Sequence, residues 1–284
     1  MLKISDEIFK SFLLCPHKAF LLSRGESWIK SEYEAALSAK KEKYCAQAVR
    51  ALGITDASFT NAQSAVVEQK CIYYRTNIES SGMSSACVVE RVKGESLLGA
   101  FYLAPVIFSA DKKLPIEDRM ELAYDGLVLE SFQARRPEFG WLIHGNKFKA
   151  TRLRIGDQIA KARKVVDSIK KHGSNSPRIM LKRHCHVCEF ASACRAKAIE
   201  KDDLSLLVGI SPKEIEAQNK KRIFTVTQYS QTFRPRKKFR KAPPFNLRTL
   251  VLRERKMHLY GTTALPMTSV QVYLDVEGDP KRNF

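Results

Sequence analysis

Three segments between residues 65 and 108 are rich in β-branched and aromatic residues, and they constrain the fold more than any other part of the chain. Their sequences are AVVEQKCIYYRT, ACVVERV and GAFYLAPVIF, and runs of this composition predict β-strands. The sequence NIESSGMSS lies between the first two and predicts a turn-rich connection. A β-sheet is therefore the expected centre of the fold.

Helical periodicity flanks these strands on both sides. Ser5 and Asp6 predict the capped start of a helix that runs to about Leu14, and residues 32–52 predict a second helix. Residues 118–132 predict another helix after the strands. GWLIHGNKF and KATRLRI then predict two short strands, followed by a helix over residues 156–172. This order predicts an α/β (α+β) domain. Further along the chain, Ser211 and Glu214 have the spacing of a capping box, which predicts the start of a helix that runs to about Lys220.

Positive charge sets this chain apart from an ordinary globular protein. The 284 residues include 49 Lys or Arg and 30 Asp or Glu, a net charge of +19, which favours a polyanionic partner. The hydrophobic share of 44% excludes a wholly disordered chain. No run of apolar residues is long enough for a transmembrane span, and the polar amino end is unlike a secretory signal. We therefore expect a cytoplasmic protein that does not enter the membrane.

The charge is concentrated between Lys220 and Lys256, where 13 cations accompany a single acid, Glu254. Aromatic residues are interleaved with the cations, and aromatic faces can stack on unpaired bases while cations neutralise phosphates. A solvated basic linker is the alternative interpretation. The predicted nucleic-acid-binding residues are Lys220, Lys221, Arg222, Arg234, Arg236, Lys237, Lys238, Arg240 and Lys241.

Four cysteines are distinguished by their spacing. Cys185 and Cys188 form C-x2-C, Cys194 follows after five residues, and Cys15 lies far upstream beside Pro16. Thiolates are soft ligands that suit an iron–sulfur cluster or zinc, and nearby histidines at 184 and 186 keep zinc open. Buried structural cysteines are the third interpretation. The remaining cysteines, at 45, 71 and 87, lie in periodic segments typical of a core.

The surrounding sequences carry a family resemblance. FLLCPHKAFLL, PEFGWLIHG, RHCHVCEFASACRAKAIEKDDLSLLVGIS, IFTVTQYSQTFRPRKK and VYLDVEGDP resemble the RecB-like putative nucleases with an appended ribonuclease-H-like domain, which are similar to CRISPR-associated RecB-type nucleases. The resemblance implies a PD-(D/E)XK restriction-endonuclease-like core and a [4Fe–4S] cluster on Cys15, Cys185, Cys188 and Cys194 that clamps both ends of the core, with zinc as the alternative. A small helical, basic region would follow the core.

The resemblance also implies a domain organisation. Residues 1–197 would form the nuclease-fold domain with its cluster, and residues 198–232 a small helix-hairpin-like region. Residues 233–268 would be a basic linker. Residues 269–284, with Asp275 and Glu277, would be the first strand of a truncated ribonuclease-H-like domain, so that the chain is the front part of a longer protein or a truncated version.

The nuclease centre of the family needs an Asp and a second acid on adjacent strands to hold Mg²⁺ or Mn²⁺, and a Lys to help activate water. The first acid is expected three residues before Glu90, where this chain has Cys87. The second strand has Ala104-Pro105-Val106 where an E-x-K is expected. The family's Gln-x-x-x-Tyr motif is reduced to Met120 and Tyr124. The centre is therefore expected to be degenerate.

Substitute groups lie nearby in the sequence. Glu68, Glu90 and Asp111 are candidate catalytic acids, and His144 is a further titratable residue, although none has a recognisable spacing. The favoured interpretation is a nucleic-acid-binding protein, with DNA as the expected ligand, that has little or no cleavage activity and joins a larger nuclease- or helicase-type assembly. The alternative is an active metal-dependent DNA exonuclease or endonuclease with displaced acids.

Overall fold

The structure is a computed structural model that describes residues 3–27, 29–56, 73–110, 113–172, 175–232 and 245–256. It divides into two compact units, Met1–Arg178 and Ile179–Phe284. The division falls earlier in the chain than the predicted domain boundary at 197/198. The first unit is a mixed α/β domain, as the sequence predicts, and the second contains helices and short turns.

The first unit is built on one mixed sheet in which the strands follow chain order. The short strand β1 (Thr55–Asp56) runs parallel to β2 (Tyr73–Ser80), which pairs antiparallel with β3 (Met83–Ser96). Strand β3 pairs antiparallel with β4 (Gly99–Ser109), and β4 pairs parallel with β5 (Phe139–His144). Strand β6 (Lys149–Arg154) pairs antiparallel with β5 and is the last strand in the order.

Five helices accompany the sheet. They are α1 (Asp6–Leu14), α2 (Pro16–Ser23), α3 (Glu32–Ala51), α4 (Ile116–Gln133) and α5 (Gly156–His172). The Oγ atom of Ser5 accepts a hydrogen bond from the Ile8 backbone N–H, which confirms the predicted cap of α1. Helix α4 joins β4 to β5, as a crossover between parallel strands requires.

The sheet has two differently packed faces. Residues of α1, α4 and α5 pack on the first face with Cys87, Val89 and Leu103 in the main core. Helix α3 packs on the second face, where Ala48 joins a separate cluster that includes Val88, Val106, Phe108 and Ile143. Neighbouring residues of β3 thus enter different cores because side chains alternate along a strand.

The link between β2 and β3 differs from the expected turn-rich connection. Both strands extend into NIESSGMSS, and only Ser81 and Gly82 form the turn. These two residues have φ angles of 53° and 74°, the left-handed conformation that a tight two-residue hairpin requires. The serines around them belong to the strands, so the prediction of a longer connection is wrong.

The first residues of the described chain are built into the core. Ile4 is fully buried and forms a parallel bridge with Met83. Its N–H donates to the Gly82 carbonyl at 2.9 Å, and its carbonyl accepts from the Ser84 N–H at 2.9 Å. The segment before α1 therefore acts as a short extra ribbon beside β3.

The second unit contains α6 (Ala191–Glu200), α7 (Pro212–Lys220), α8 (Val226–Ser230) and α9 (Phe245–Glu254). Ser211 and Glu214 form a capping box at the start of α7, as predicted, and Thr225 and Gln228 form another at α8. Leu204, Leu207, Ile210 and Ile215 form its small apolar core. Helix α9 lies within the range expected to be a basic linker.

The remaining predicted segments lie outside the described residues. They are the first part of the predicted strand AVVEQKCIYYRT, up to residue 72, the cation-rich stretch 233–244 and the strand with Asp275 and Glu277. No helix among the described residues has the length and apolar character needed to cross a bilayer.

Candidate functional site

The two strands expected to carry the nuclease centre are adjacent, but their key positions point away from each other. Cys87 on β3 is buried in the core beneath α4, and burial raises its pKa well above the usual value. Ala104 on β4 is fully buried on the opposite face, beside Tyr102 and Phe139. One metal ion could not contact side chains at both positions, so the sequence-based placement of the two acids of one centre at positions 87 and 104 is wrong for this sheet.

Ala104-Pro105-Val106 offers no polar side chain to the sheet. Ala104 is paired with Glu90 and Pro105 with Val89, while Val106 packs in the cluster beneath α3. A methyl group, a pyrrolidine ring and an isopropyl group supply no oxygen ligand for Mg²⁺. A well-packed apolar stretch therefore occupies the place where the family's E-x-K is expected.

Glu90 is the one sequence-predicted catalytic acid that the structure describes, since Glu68 and Asp111 lie outside the described residues. It lies on the same face as Ala104, where the Trp141 indole N–H donates a hydrogen bond to its carboxylate. Partial burial raises the pKa of Glu90, while the Trp141 hydrogen bond and the nearby Arg152 charge oppose that rise. Glu90 is three residues from Cys87 and so faces the other side of the sheet.

The structure brings together acids that the sequence interpretation missed. Asp125 of α4 is only 6% exposed, and its Oδ1 accepts a hydrogen bond from the Ser85 Oγ at 2.8 Å. Asp6 of α1 lies close enough to raise the pKa of Asp125 further, although burial is the main cause of that rise. The Asp6 Oδ2 accepts the Ala86 N–H at 2.8 Å, whereas its buried Oδ1 has no hydrogen-bond partner.

Cations border this acid pair. Lys10 forms an ion pair with Glu121, and Lys41 of α3 contacts both Asp118 and Glu121 at 3.5 and 3.4 Å. The pKa of Lys41 is raised because these two carboxylates outweigh the opposing effect of burial. The outer acids thus form ion pairs with lysines, while burial raises the pKa of the inner pair, Asp6 and Asp125.

One sequence signal could have revealed the inner pair. Asp125 interrupts the apolar stretch LAYDGLVL of α4, and an acid in the buried face of a helix is unusual without a partner. In the sequence, Asp6 was interpreted only as part of the capped start of α1. The pairing of the two requires α1 to pack on α4 next to β3, which no local pattern predicts.

Tyr124, which together with Met120 remains from the reduced Gln-x-x-x-Tyr motif, is held in place by packing and hydrogen bonding. Its ring stacks on Phe9 with centroids 4.4 Å apart, and its hydroxyl donates to the Ile4 carbonyl at 2.6 Å. Met120 is buried in the same core. His144, at the end of β5, is buried and its Nε2 lies 2.9 Å from the Thr151 hydroxyl. These contacts give Tyr124, Met120 and His144 structural roles in the core and at the end of β5.

Three of the predicted cluster ligands occupy one short segment of the second unit. Cys185 lies in a 3₁₀ turn over Arg183–His186, Cys188 follows that turn, and Cys194 lies in α6. Val187 and Phe190, buried between them, anchor the segment. The three cysteines are half-buried and none of them forms a disulfide. The Lys182 N–H points at the Cys185 sulfur at 3.2 Å, as is common at ligated thiolates.

Cys15 belongs to the first unit, at the junction of α1 and α2, and it too forms no disulfide. Neighbouring His17 is buried, and its Nδ1 lies 3.1 Å from the Pro177 carbonyl oxygen. Within the described ranges, no group of three or more His, Cys, Asp or Glu side chains is arranged to hold a metal ion. The donor set of Cys185, Cys188 and Cys194 nevertheless fits a thiophilic group, because it offers three accessible soft sulfurs on one segment.

Three predicted nucleic-acid contacts are described, and all are exposed. Lys220 ends α7 and forms an ion pair with Glu216 at 3.5 Å, while Lys221 and Arg222 form the following turn. Arg222 has a φ of 61°, a conformation in which glycine is usual. The other six predicted contacts, from Arg234 to Lys241, lie outside the described residues.

No protein-family model matches the chain, and no curated protein matches it.

Proposed function

We propose that this chain is a nucleic-acid-binding protein, with DNA as its ligand, that belongs to the RecB-like iron–sulfur nuclease family and has a degenerate nuclease centre. Two features of the fold support this assignment. The strands that would carry the centre, β3 and β4, are neighbours in the sheet. The helix that carries the reduced Gln-x-x-x-Tyr motif, α4, packs over them. The PD-(D/E)XK core is part of the same proposal.

One observation carries the proposed loss of cleavage. Cys87 and Ala104 occupy the positions that the resemblance assigns to metal-binding acids, and neither has a carboxylate. Over the residues that pair with each other, β3 and β4 supply one carboxylate, that of Glu90. Since Mg²⁺ and Mn²⁺ require clustered oxygen ligands, a single carboxylate is too few. Half-buried Asp6 and buried Asp125 are weak replacements, because burial raises the pKa of both carboxyl groups and a proton then competes better with a metal ion.

We also propose that Cys185, Cys188 and Cys194 hold a [4Fe–4S] cluster, with Cys15 as the fourth ligand that the resemblance implies. A bound cluster would cross-link these thiolates and stabilise the fold around them. The role of the chain is to keep Cys185 in the turn and to direct the Lys182 N–H at its sulfur. Zinc on the same thiolates is the alternative outcome.

The cluster is tested by anaerobic purification followed by iron, sulfide and zinc analysis and an absorption spectrum. The wild type should contain about four irons and absorb broadly in the visible region. Cys188→Ser should lose both signals, whereas Cys45→Ser, a change at a half-buried cysteine on α3, should retain them. Stoichiometric zinc without iron would contradict the cluster.

Cleavage and binding are tested together on the same preparation. Labelled single- and double-stranded DNA incubated with Mg²⁺ or Mn²⁺ should remain intact while binding persists. Cleavage that disappears in Glu90→Gln, Asp111→Asn or Glu68→Gln would overturn the degenerate centre and support the displaced-acid nuclease. For binding, a Lys220→Gln/Lys221→Gln variant should show a weaker salt dependence, since each lost contact to a single strand lowers the slope by about 0.7.

A further inference from the structure

The edge strand β6 and the segment after α4 present a group of cations on the first unit. Arg152 and Arg154 are exposed on one face of β6, opposite Trp141 and Phe139 of β5, and Arg135 and Arg136 follow α4 next to it. Two hydrogen bonds hold the two segments together: the Arg136 guanidinium donates to the Gly156 carbonyl, and the Ile155 N–H donates to the Glu138 carbonyl at 3.2 Å. We call these four arginines the β6 surface.

The β6 surface differs from several other cations of the same unit in its ion pairing. Lys3, Lys10, Lys18, Lys41 and Arg163 each lie within 4 Å of a carboxylate. None of the four arginines of the β6 surface forms such a pair with any described residue. Two carboxylates, Glu90 and Glu138, are near the surface, and Glu90 accepts the Trp141 N–H. The four arginines thus exceed these two carboxylates by two positive charges.

Aromatic rings fix two of the guanidinium groups in place. The Arg152 guanidinium carbon lies 3.7 Å from the centroid of the Phe139 ring, and that of Arg135 lies 4.2 Å from the centroid of Tyr102. Both rings are nearly buried and belong to one cluster. A guanidinium stacked by one face keeps its N–H edge available, and it loses little rotational freedom when it binds an anion. Arg135 is held further by a 2.5 Å bond to the Glu95 carbonyl.

We propose that the β6 surface binds the phosphate backbone of nucleic acid and forms a second contact region, independent of the basic segment between Lys220 and Lys256. Preorganised arginines suit phosphate oxygens because their planar donor fork can form two parallel hydrogen bonds. The inference rests on the proposed nucleic-acid binding for the identity of the polyanion. Cations on an edge strand also prevent pairing with other strands, a role that requires no ligand.

The test uses the full chain, purified anaerobically, and a labelled oligo-dT single strand titrated at several salt concentrations. Arg152→Gln/Arg154→Gln removes two cations of the β6 surface. Lys3→Gln/Arg163→Gln is the matched control, since it removes the same charge from paired positions. The slope of log affinity against log salt should fall by about 1.4 in the first variant and stay unchanged in the control. Arg154→Gln alone, which keeps the Arg152 stack, should lower the slope by about 0.7.

Each alternative result has a defined meaning. An unchanged slope in Arg152→Gln/Arg154→Gln, or an equal fall in the control, would refute the β6 surface as a contact region. Loss of heparin or acidic-vesicle binding without loss of oligo-dT binding would refute nucleic acid as its partner. If only Lys220→Gln/Lys221→Gln lowers the slope, the proposed function stands and this inference fails. If the wild type does not bind oligo-dT, both proposals fail.

Discussion

Replacing Asp125 with Asn should change how the stability of the first unit depends on pH. Asp125 is buried between α4 and β3, and burial together with the nearby Asp6 and Glu121 raises its pKa well above the ordinary value of 3.8. The Ser85 hydrogen bond and the Lys10 charge oppose this rise but do not cancel it. Asn has the same shape as a protonated Asp, and its Oδ1 can still accept the 2.8 Å hydrogen bond from Ser85.

The sign of the effect follows from proton binding. A carboxyl whose pKa is raised on folding keeps its proton at pH values where the unfolded chain has already released it. Its contribution to stability is complete below the unfolded pKa and is lost as pH rises towards the folded pKa. One such proton gives a slope of about 1.4 kcal/mol per pH unit in this window. The pKa of Asp6 is also raised, so the wild-type slope should include a second contribution of the same sign.

The measurement is urea unfolding followed by tryptophan fluorescence between about pH 4 and about pH 8. Both tryptophans, Trp28 and Trp141, belong to the first unit, so the signal reports on that unit. Asp125→Asn should lose stability less steeply than the wild type as pH rises. Asp167→Asn, the same change at an exposed site on α5, should follow the wild type. Parallel pH profiles for Asp125→Asn and the wild type would refute the reasoning.

Three further predictions concern the core and can be checked by the same unfolding assay. Tyr124→Phe should lower the free energy of unfolding by about 0.5–1.5 kcal/mol, because the Ile4 carbonyl loses the 2.6 Å hydrogen bond from the hydroxyl but keeps that from the Ser84 N–H; no loss would mean that water replaces the hydroxyl. Ala134→Gly should raise the free energy of unfolding by about 1 kcal/mol, because Ala134 follows α4 with a φ of 49°, a left-handed conformation that strains alanine but not glycine. A decrease would contradict that backbone strain. Gly140→Ala should lower the free energy of unfolding by about 1–3 kcal/mol, because the new methyl would lie 2.9 Å from the Pro105 carbonyl oxygen. A neutral result would show that β4 and β5 can move apart.

Local sequence patterns predicted the elements whose causes are local. The cap of α1 and the capping box of α7 each depend on residues within one helical turn, and both are confirmed. The hairpin at Ser81 and Gly82 was missed because serine and glycine are common in loops as well as in strands that end in a tight turn. The alternating burial of β2 distinguishes a strand that ends in a tight turn from a loop.

The candidate site was harder to predict because it depends on contacts between distant residues. Asp6 and Asp125 meet only after α1 packs on α4, and the sequence separation between them carries no spacing rule. One part was accessible in advance. Cys87 and Glu90 are three residues apart, and since side chains alternate along a strand, two such residues must point to opposite faces. The sequence alone therefore shows that Glu90 cannot take the place of an acid at position 87.

The burial of Ile4 has a consequence for how the protein is made. Its hydrogen-bond partner Tyr124 lies 120 positions further along the chain. During translation, Ile4 leaves the ribosome long before α4 is synthesised. The Ile4 side chain therefore remains exposed until β3 and α4 have formed. The first unit can complete its core only after most of it has left the exit tunnel. A fusion partner placed ahead of Ile4 therefore needs a flexible spacer, since a rigid one would keep the segment from reaching its place between β3 and α4.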